Sequence, residues 1–376
     1  MTTGRLRSID AVRGIAMVLV IAAHSFLVCN PQKFSEFFLS GLWLLTQSAS
    51  IAFMFVSGMI MTYLMLTGDQ SPRSTWRFFR RGLFLIVVIH PVLRLVTFAF
   101  SNTNQDFFHN MLFDHPITDT IGFCLIVAPL IVRIFKPSYR LILIILMLLG
   151  AFGTKLWWHP ESGLAMVLKV VLFGTDPDSE TTLAVGWPVI PWLAIFLCGS
   201  FVGETYTAMR KNQIVANDAF LRFRKGALLL LSVGIALAMI YFTLKRLNPF
   251  VWNPATFLSL YPSRTGTLLP FYLGLILVVI AFLVKYVDCK GKYNIALWAL
   301  SIFGRNSLFT FVTQFVVVWT IPALLGLKGT LGHVGYAALL AIGLLLIWTS
   351  AYVYGRLRNR ITANDYQTLL GHTCVP

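Results

Sequence analysis

Acidic residues are scarce in this chain: 14, against 30 lysines and arginines, for a formal net charge of +16. Charged residues of both signs make up only 12% of the 376 residues, while 57% are hydrophobic. With a mean hydropathy of +0.77, this balance excludes an ordinary soluble domain. The five cysteines, Cys29, Cys124, Cys198, Cys289 and Cys374, have neither metal-ligand nor disulfide spacing, which argues against a zinc module or a disulfide scaffold. There is no Walker loop, no Gly-x-Gly-x-x-Gly after a strand and no His-Glu-x-x-His, so the chain lacks the usual signatures of nucleotide-binding folds and zinc proteases. It also lacks a strong internal repeat, which argues against an inverted-repeat transporter.

What the chain has in abundance is apolar runs long enough to cross a bilayer. Ten are expected, at about 12–30, 42–66, 82–100, 119–135, 140–157, 186–206, 226–244, 267–287, 298–325 and 333–354. The first is not read as a cleavable signal, because it carries charge and histidine and no small-residue cleavage site precedes a soluble domain. With the N-terminus inside, twenty-one of the 30 basic residues fall on the inner side and seven on the outer, with Arg94 and Arg305 within spans. This is the positive-inside pattern, so the excess charge reports topology and does not call for nucleic acid. The expected fold is an all-α integral membrane bundle of about ten transmembrane helices, both termini cytoplasmic. It forms a single domain over 1–376, with outer loops 157–185 and 245–266 long enough for a cap. Their aromatic and polar mix suits a sugar, and it equally suits an interfacial belt with a surface helix.

One stripe of the first run stands out. Arg13 and His24 are eleven residues apart, which on a helix is three turns plus roughly 20° and about 16 Å along the axis. Asp10 falls on the same side, roughly 40° from His24. Ionisable groups inside a membrane normally face a protein interior or a water-filled cavity, so the stripe reads as a site. The competing readings are a histidine that only bonds between helices and a local Asp10–Arg13 pair one turn apart. A second tier follows. Asn306, Thr310, Thr313 and Gln314 share one helix face, with Arg305 just before them. Asp119 with His115 makes an alternative acid–base pair, and His90 and Arg94 share a face. Interhelical hydrogen bonding accounts for Thr and Gln nearly as well, and ordinary surface positions suffice for His109, His159, His333 and His372.

The opening RLRSIDAVRGIAMVLVIAAHS resembles the start of membrane-bound acyltransferases of the acyltransferase 3 type, and more closely the branch containing heparan-α-glucosaminide N-acetyltransferase. Arg13, ten residues and His24 match the arginine–histidine pattern of that superfamily. SASIAFMFVSGMIMTYL is similar to its aromatic second helix ending in Ser57-Gly58, and FFRRGLFLIVVIHPVLRL to its arginine-pair helix, placing Arg80, Arg81 and Arg94. WPVIPWLAIFLCGSFVGE resembles its Pro-Trp helix, placing Trp192, and FGRNSLFTFVTQF resembles a late Gly-Arg-Asn-Ser-Leu helix. The matches run in order from residue 5 to about 320. Gln314 stands where many relatives carry a histidine, so a second catalytic histidine at that position is excluded.

The resemblance implies an acyl transfer, acetyl first, from cytosolic acyl-CoA to an extracytoplasmic or lipid-linked glycan in a bacterial inner membrane. Such a transfer needs a base or nucleophile and donors for the tetrahedral oxyanion. His24 is expected as base or acyl carrier, with Arg13 and Asp10 beside it. Arg73, Arg77, Arg80 and Arg81, with Ser57, would receive acyl-CoA, arginine suiting its phosphates by a fixed, always charged fork. Substrate or oxyanion contacts would come from Arg94, Asp119, His115, Trp192, Arg305, Asn306 and Gln314. No metal is expected. The expected partners are the bilayer, acyl-CoA and a glycan or glycolipid acceptor, with a homodimer left open. The rival reading is a transporter or channel for a lipid or anionic solute, with the Arg13–His24 stripe as its path.

Overall fold

The computed structural model describes residues 7–68, 72–99, 117–158, 160, 163–174, 187–247, 259–261, 264–265 and 269–371. The order is α1 (Arg7–Leu27), α2 (Glu36–Thr67), α3 (Pro72–Phe84), α4 (His90–Ala99), α5 (Ile117–Ile134), α6 (Pro137–Trp157), α7 (Gly163–Phe173), α8 (Val189–Arg210), α9 (Ala216–Leu247), α10 (Leu269–Leu283), α11 (Ile295–Arg305), α12 (Ser307–Gln314) and α13 (His333–Gly371). A short antiparallel pair, Ser259–Tyr261 with Arg264–Thr265, lies between α9 and α10.

Eight stretches among the described residues are long and apolar enough to cross a membrane: Arg7–Leu27, Ser48–Thr67, Ile117–Ile134, Val189–Arg210, Ala216–Ile240, Leu269–Cys289, Ser307–Leu324 and His333–Arg358. They coincide with eight of the ten expected runs. The other two, 82–100 and 140–157, fall on α3–α4 and on α6, which are also helical. The expected cap 157–185 contains a short apolar helix, α7. The 245–266 cap lies largely outside the described residues.

Among the described residues three stretches widen into π-turns; Val284–Cys289, after α10, has no proline beside it, while the other two share a local cause. Leu85–Ile89 precedes Pro91, and Phe315–Thr320 precedes Pro322. A proline has no N–H for the helical ladder and its ring crowds the carbonyl one turn back. The residue before each proline reaches five positions back: His90 N–H to the Leu85 oxygen, and Ile321 N–H to the Val316 oxygen. Turns of this kind recur at functional positions.

The chain divides into two compact units, Met1–Ala49 with Gly291–Pro376, and Ser50–Lys290. In the first, α1 packs on α11, α12 and α13. A Cβ on Gly14 would overlap the Leu300 carbonyl oxygen, and one on Gly304 the Asp10 carbonyl oxygen. Only glycine permits this approach, the usual means of bringing membrane helices together. At one end of this unit Phe34 lies 4.6 Å from the His333 ring, and Lys33 Nζ donates to the Thr330 oxygen at 2.6 Å. In the second unit α8 presents Gly199 to the Phe55 carbonyl of α2, while Gly58 of α2 meets the Phe196 carbonyl. Trp192, Phe196 and Tyr206 of α8 are fully buried.

Candidate active site

Asp10 lies in the first turn of α1 and is 2% exposed. Its Oδ2 accepts a hydrogen bond from Arg305 Nε of α11 at 3.2 Å. One turn on, Arg13 Nη2 donates to Ser307 Oγ at the start of α12. The close approach at Gly14 and Gly304 allows both contacts, since it sets the α1 backbone directly against the end of α11. The stripe expected from the spacing is therefore turned inward in its own unit. Its partners, about 295 residues away in the chain, are Arg305 and Ser307. His24, half-buried in the last turn of α1, has its ring 5.1 Å from that of Phe315, tilted by 46°. Phe315 opens the π-turn Phe315–Thr320.

The polar face of α12 is buried. Asn306, 6% exposed, closes α11 and donates from Nδ2 to the Ala351 oxygen of α13 at 2.9 Å. Thr310 and Gln314 are fully buried. Among the described residues neither amide atom of Gln314 has a hydrogen-bond partner, nor do Thr310 Oγ1 and Asn306 Oδ1. An orphaned buried polar atom costs about 1–3 kcal/mol, so this face holds donors and acceptors suited to a polar ligand atom.

In the second unit Trp76, Arg77, Arg80, Arg81 and Phe84 line an open cleft of about 430 Å³. They recur at helical spacing along α3, which puts three guanidiniums and two rings on one stripe. Desolvation, and then the like charge of Arg77, lower the Arg81 guanidinium from its ordinary value. A bound anion would relieve that crowding. Arg73 sits one turn before Arg77 on the same helix.

The remaining expected residues fare unevenly. Ser57 Oγ donates to the Phe53 oxygen of its own helix at 2.7 Å. Trp192 is a core residue, fully buried with its ring 5.0 Å from that of Trp187. His115 lies outside the described residues. The described partner of Asp119 is His90, Nδ1 to Oδ2 at 2.6 Å, with Arg94 one turn further along α4. Sequence reasoning placed His90 and Asp119 in separate groups. It also missed Arg140, which is fully buried, donates to Ser200 Oγ at 2.9 Å and is paired with Glu204. The burial follows from the acid and hydroxyl that α8 offers four residues apart. Among the described residues no cluster of three or more His, Cys, Asp or Glu side chains could hold a metal.

Residues 5–219 match the family described as Heparan-alpha-glucosaminide N-acetyltransferase, catalytic. The match takes in α1 to α8 and the first residues of α9, more than half of the chain, and ends before the late helices that carry Arg305 to Gln314. No curated protein matches the chain. With its several long apolar helices and this matched segment, the chain is a multi-pass integral membrane protein of acyltransferase type, and it belongs to the heparan-alpha-glucosaminide N-acetyltransferase catalytic family.

Proposed function

We propose that the protein moves an acyl group, acetyl in the first instance, from cytosolic acyl-CoA to an extracytoplasmic or lipid-linked glycan. It does so as one functional domain over 1–376, with both termini cytoplasmic, in a bacterial inner membrane. The observation that carries this reading is the α1 stripe. Asp10 and Arg13 lie inside the family segment and are engaged by Arg305 and Ser307, with His24 eleven residues beyond Arg13. The family does not favour the transporter alternative.

The roles follow from the chemistry of each group. Arg77, Arg80 and Arg81, with Arg73, hold the phosphates of acyl-CoA through charge-assisted, forked hydrogen bonds, and Trp76 and Phe84 supply apolar walls. His24 acts at the carbonyl by one of two courses. As base, it takes the proton of the acceptor hydroxyl or amine while that atom attacks the thioester carbon. The C–S bond then breaks and the proton passes to the departing thiolate. As carrier, its ring nitrogen attacks the thioester carbon, the C–S bond breaks and CoA leaves as the thiolate; the acceptor then attacks the acyl-imidazole, the N–C bond breaks, and the acceptor's proton passes to the freed ring nitrogen. Gln314 Nε2 and Thr310 Oγ1 donate to the oxygen that becomes negative, with Asn306 and Arg305 in support. Donors unused in the resting protein are suited to that task. Arg13 and Asp10 fix the α1 end of the stripe.

The family description concerns an N-acetyl transfer to a glucosaminide. An amine acceptor on an α-linked glucosamine is accordingly the first to test, with sugar hydroxyls second. Mass spectrometry of surface glycans and lipids, from cells with the intact protein and with His24→Ala, decides the matter. Acyl groups present only with the intact protein support the reading, and identical profiles contradict it.

A further inference from the structure

In the second unit two cations from different helices meet over one aromatic ring. Lys285 Nζ lies 4.8 Å and Arg224 Cζ 5.7 Å from the centroid of Phe220, and Lys285 Nζ also donates to Asn217 Oδ1 at 3.2 Å. The packing of α9 on α10 brings them together. A Cβ on Gly234 would meet the Phe271 nitrogen at 2.5 Å, and one on Gly274 the Leu231 nitrogen at 2.9 Å, so glycines let the two backbones approach closely. The π-turn Val284–Cys289, which carries Lys285, has no proline beside it to cause it, and such turns recur at functional positions. Basic residues outnumber acids at this end of both helices. Residues 216–225 hold three and one acid, Asp218, while 284–290 hold two and one acid, Asp288. Two exposed apolar rows lead away from the cations. On α10 Leu275, Val278 and Phe282 are exposed, at spacings of three and four that place them on one face. On α9 the exposed Leu228 and Ile235 follow Arg224 at four and eleven residues, again on one face. Phe220, reached by a cation from each helix, marks the flank on which the rows run side by side.

We propose that this flank of the α9–α10 hairpin seats an anionic phospholipid, with the lipid phosphate on Lys285 and Arg224 and an acyl chain along Leu228, Leu275, Val278 and Phe282. The order of the groups decides the occupant. From Lys285 to Leu275 is ten residues, about 15 Å of helix, so a pair of cations stands at the end of an apolar row as long as much of a lipid tail. A headgroup and its chain cover both parts. A soluble phosphate, or the phosphates of CoA, would engage the cations and leave the row uncovered. Charge-assisted hydrogen bonds hold the phosphate, and basic pockets between membrane helices are the usual seats of anionic headgroups. The Phe282 and Tyr286 rings, stacked 5.6 Å apart at 11°, lie next to the cations, as aromatic side chains do at headgroup level. The lipid is neither donor nor acceptor, so the proposal stands apart from the acyltransferase reading and rests only on the helices crossing a membrane.

Native mass spectrometry of the detergent-purified protein, given equal amounts of phosphatidylglycerol and phosphatidylcholine with matched chains, tests this. The wild type is expected to retain phosphatidylglycerol with a preference of about 30-fold, near fivefold for each of the two cations. That measurement needs no variant to fold. Arg224→Gln with Lys285→Gln is expected to remove most of the preference. Arg222→Gln with Lys225→Gln makes the same change in net charge at positions about 100° or more around α9 from Arg224, and is expected to leave the preference within about twofold. Coenzyme A and glycerol phosphate, added at the lipid's concentration, are expected to leave the bound lipid in place. Three results each overturn the proposal: no preference in the wild type, equal losses in the two double variants, or displacement of the lipid by either soluble phosphate.

Discussion

Asp10 Oδ2 accepts a hydrogen bond from Arg305 Nε at 3.2 Å, joining the first turn of α1 to the last turn of α11 across 295 residues. The carboxylate is 3% exposed and the arginine 41%. Asp10 is thus a buried charge with a partner, the condition under which a charge is tolerated in such surroundings. Arg13, one turn later, is held by Ser307. The late helices beyond the family match thus engage residues inside it.

Neutralising Arg80 and Arg81 together is expected to weaken CoA binding by about 10²-fold, since hydrogen bonds to charged groups contribute about 1.5–3 kcal/mol each. Calorimetry on detergent-purified protein measures this. Unchanged affinity in a correctly inserted double variant would move the phosphates elsewhere, with Arg222, Arg224 and Lys225 next in line.

Gln314 sets stability against activity. Its amide is fully buried without a partner among the described residues, so Gln314→Leu is expected to raise stability by roughly 1–3 kcal/mol. The same change removes an oxyanion donor and is expected to lower turnover by about 10²-fold, leaving measurable transfer. A melting curve and a single-turnover assay on one preparation read both effects. A rise in stability at full turnover would make Gln314 a bystander.

The pair between Arg140 and Glu204 makes a purely structural prediction. Glu204→Leu alone leaves a fully buried guanidinium without its acid, a loss in the range of about 3–5 kcal/mol and toward the lower end because Glu204 is 30% exposed. Arg140→Met combined with Glu204→Leu is expected to recover most of it. Melting temperatures of the two variants, compared at one detergent concentration, check the order.

How much of this was legible in advance depended on the range of each interaction. The helices and the α1 stripe follow from runs and periodicity that a single segment carries, which is why Arg13 and His24 stood out. Asp10 with Arg305, and Arg140 with Glu204, are contacts between distant segments, and no local spacing points to them. His90 was visible as a polar residue in an apolar run, and Pro91 beside it was a signal that the helix would not stay regular. The direction in which the π-turn would send the imidazole, and that Asp119 would be there, required the packed helices. Gln314 was noted for what it replaced; only burial shows that its amide is unused.

The charge split predicts sidedness. Cysteines introduced near Asp106 and Asp178 are expected to react with an impermeant thiol reagent in intact cells, and those near Arg222 and Arg358 only after the membrane is opened. Labelling of the last two in intact cells would reverse the orientation, and with it the cytosolic side assigned to the donor.

His24→Ala tests the account most directly, by acetyl transfer from [¹⁴C]acetyl-CoA in membranes where insertion and acetyl-CoA affinity have been verified. Loss of a positioned base typically costs on the order of 10²–10⁴ in rate. The variant is therefore expected to bind acetyl-CoA like the wild type and to transfer almost nothing. Transfer at the wild-type rate by a correctly inserted His24→Ala protein would contradict the assignment of the α1 stripe as the site of chemistry.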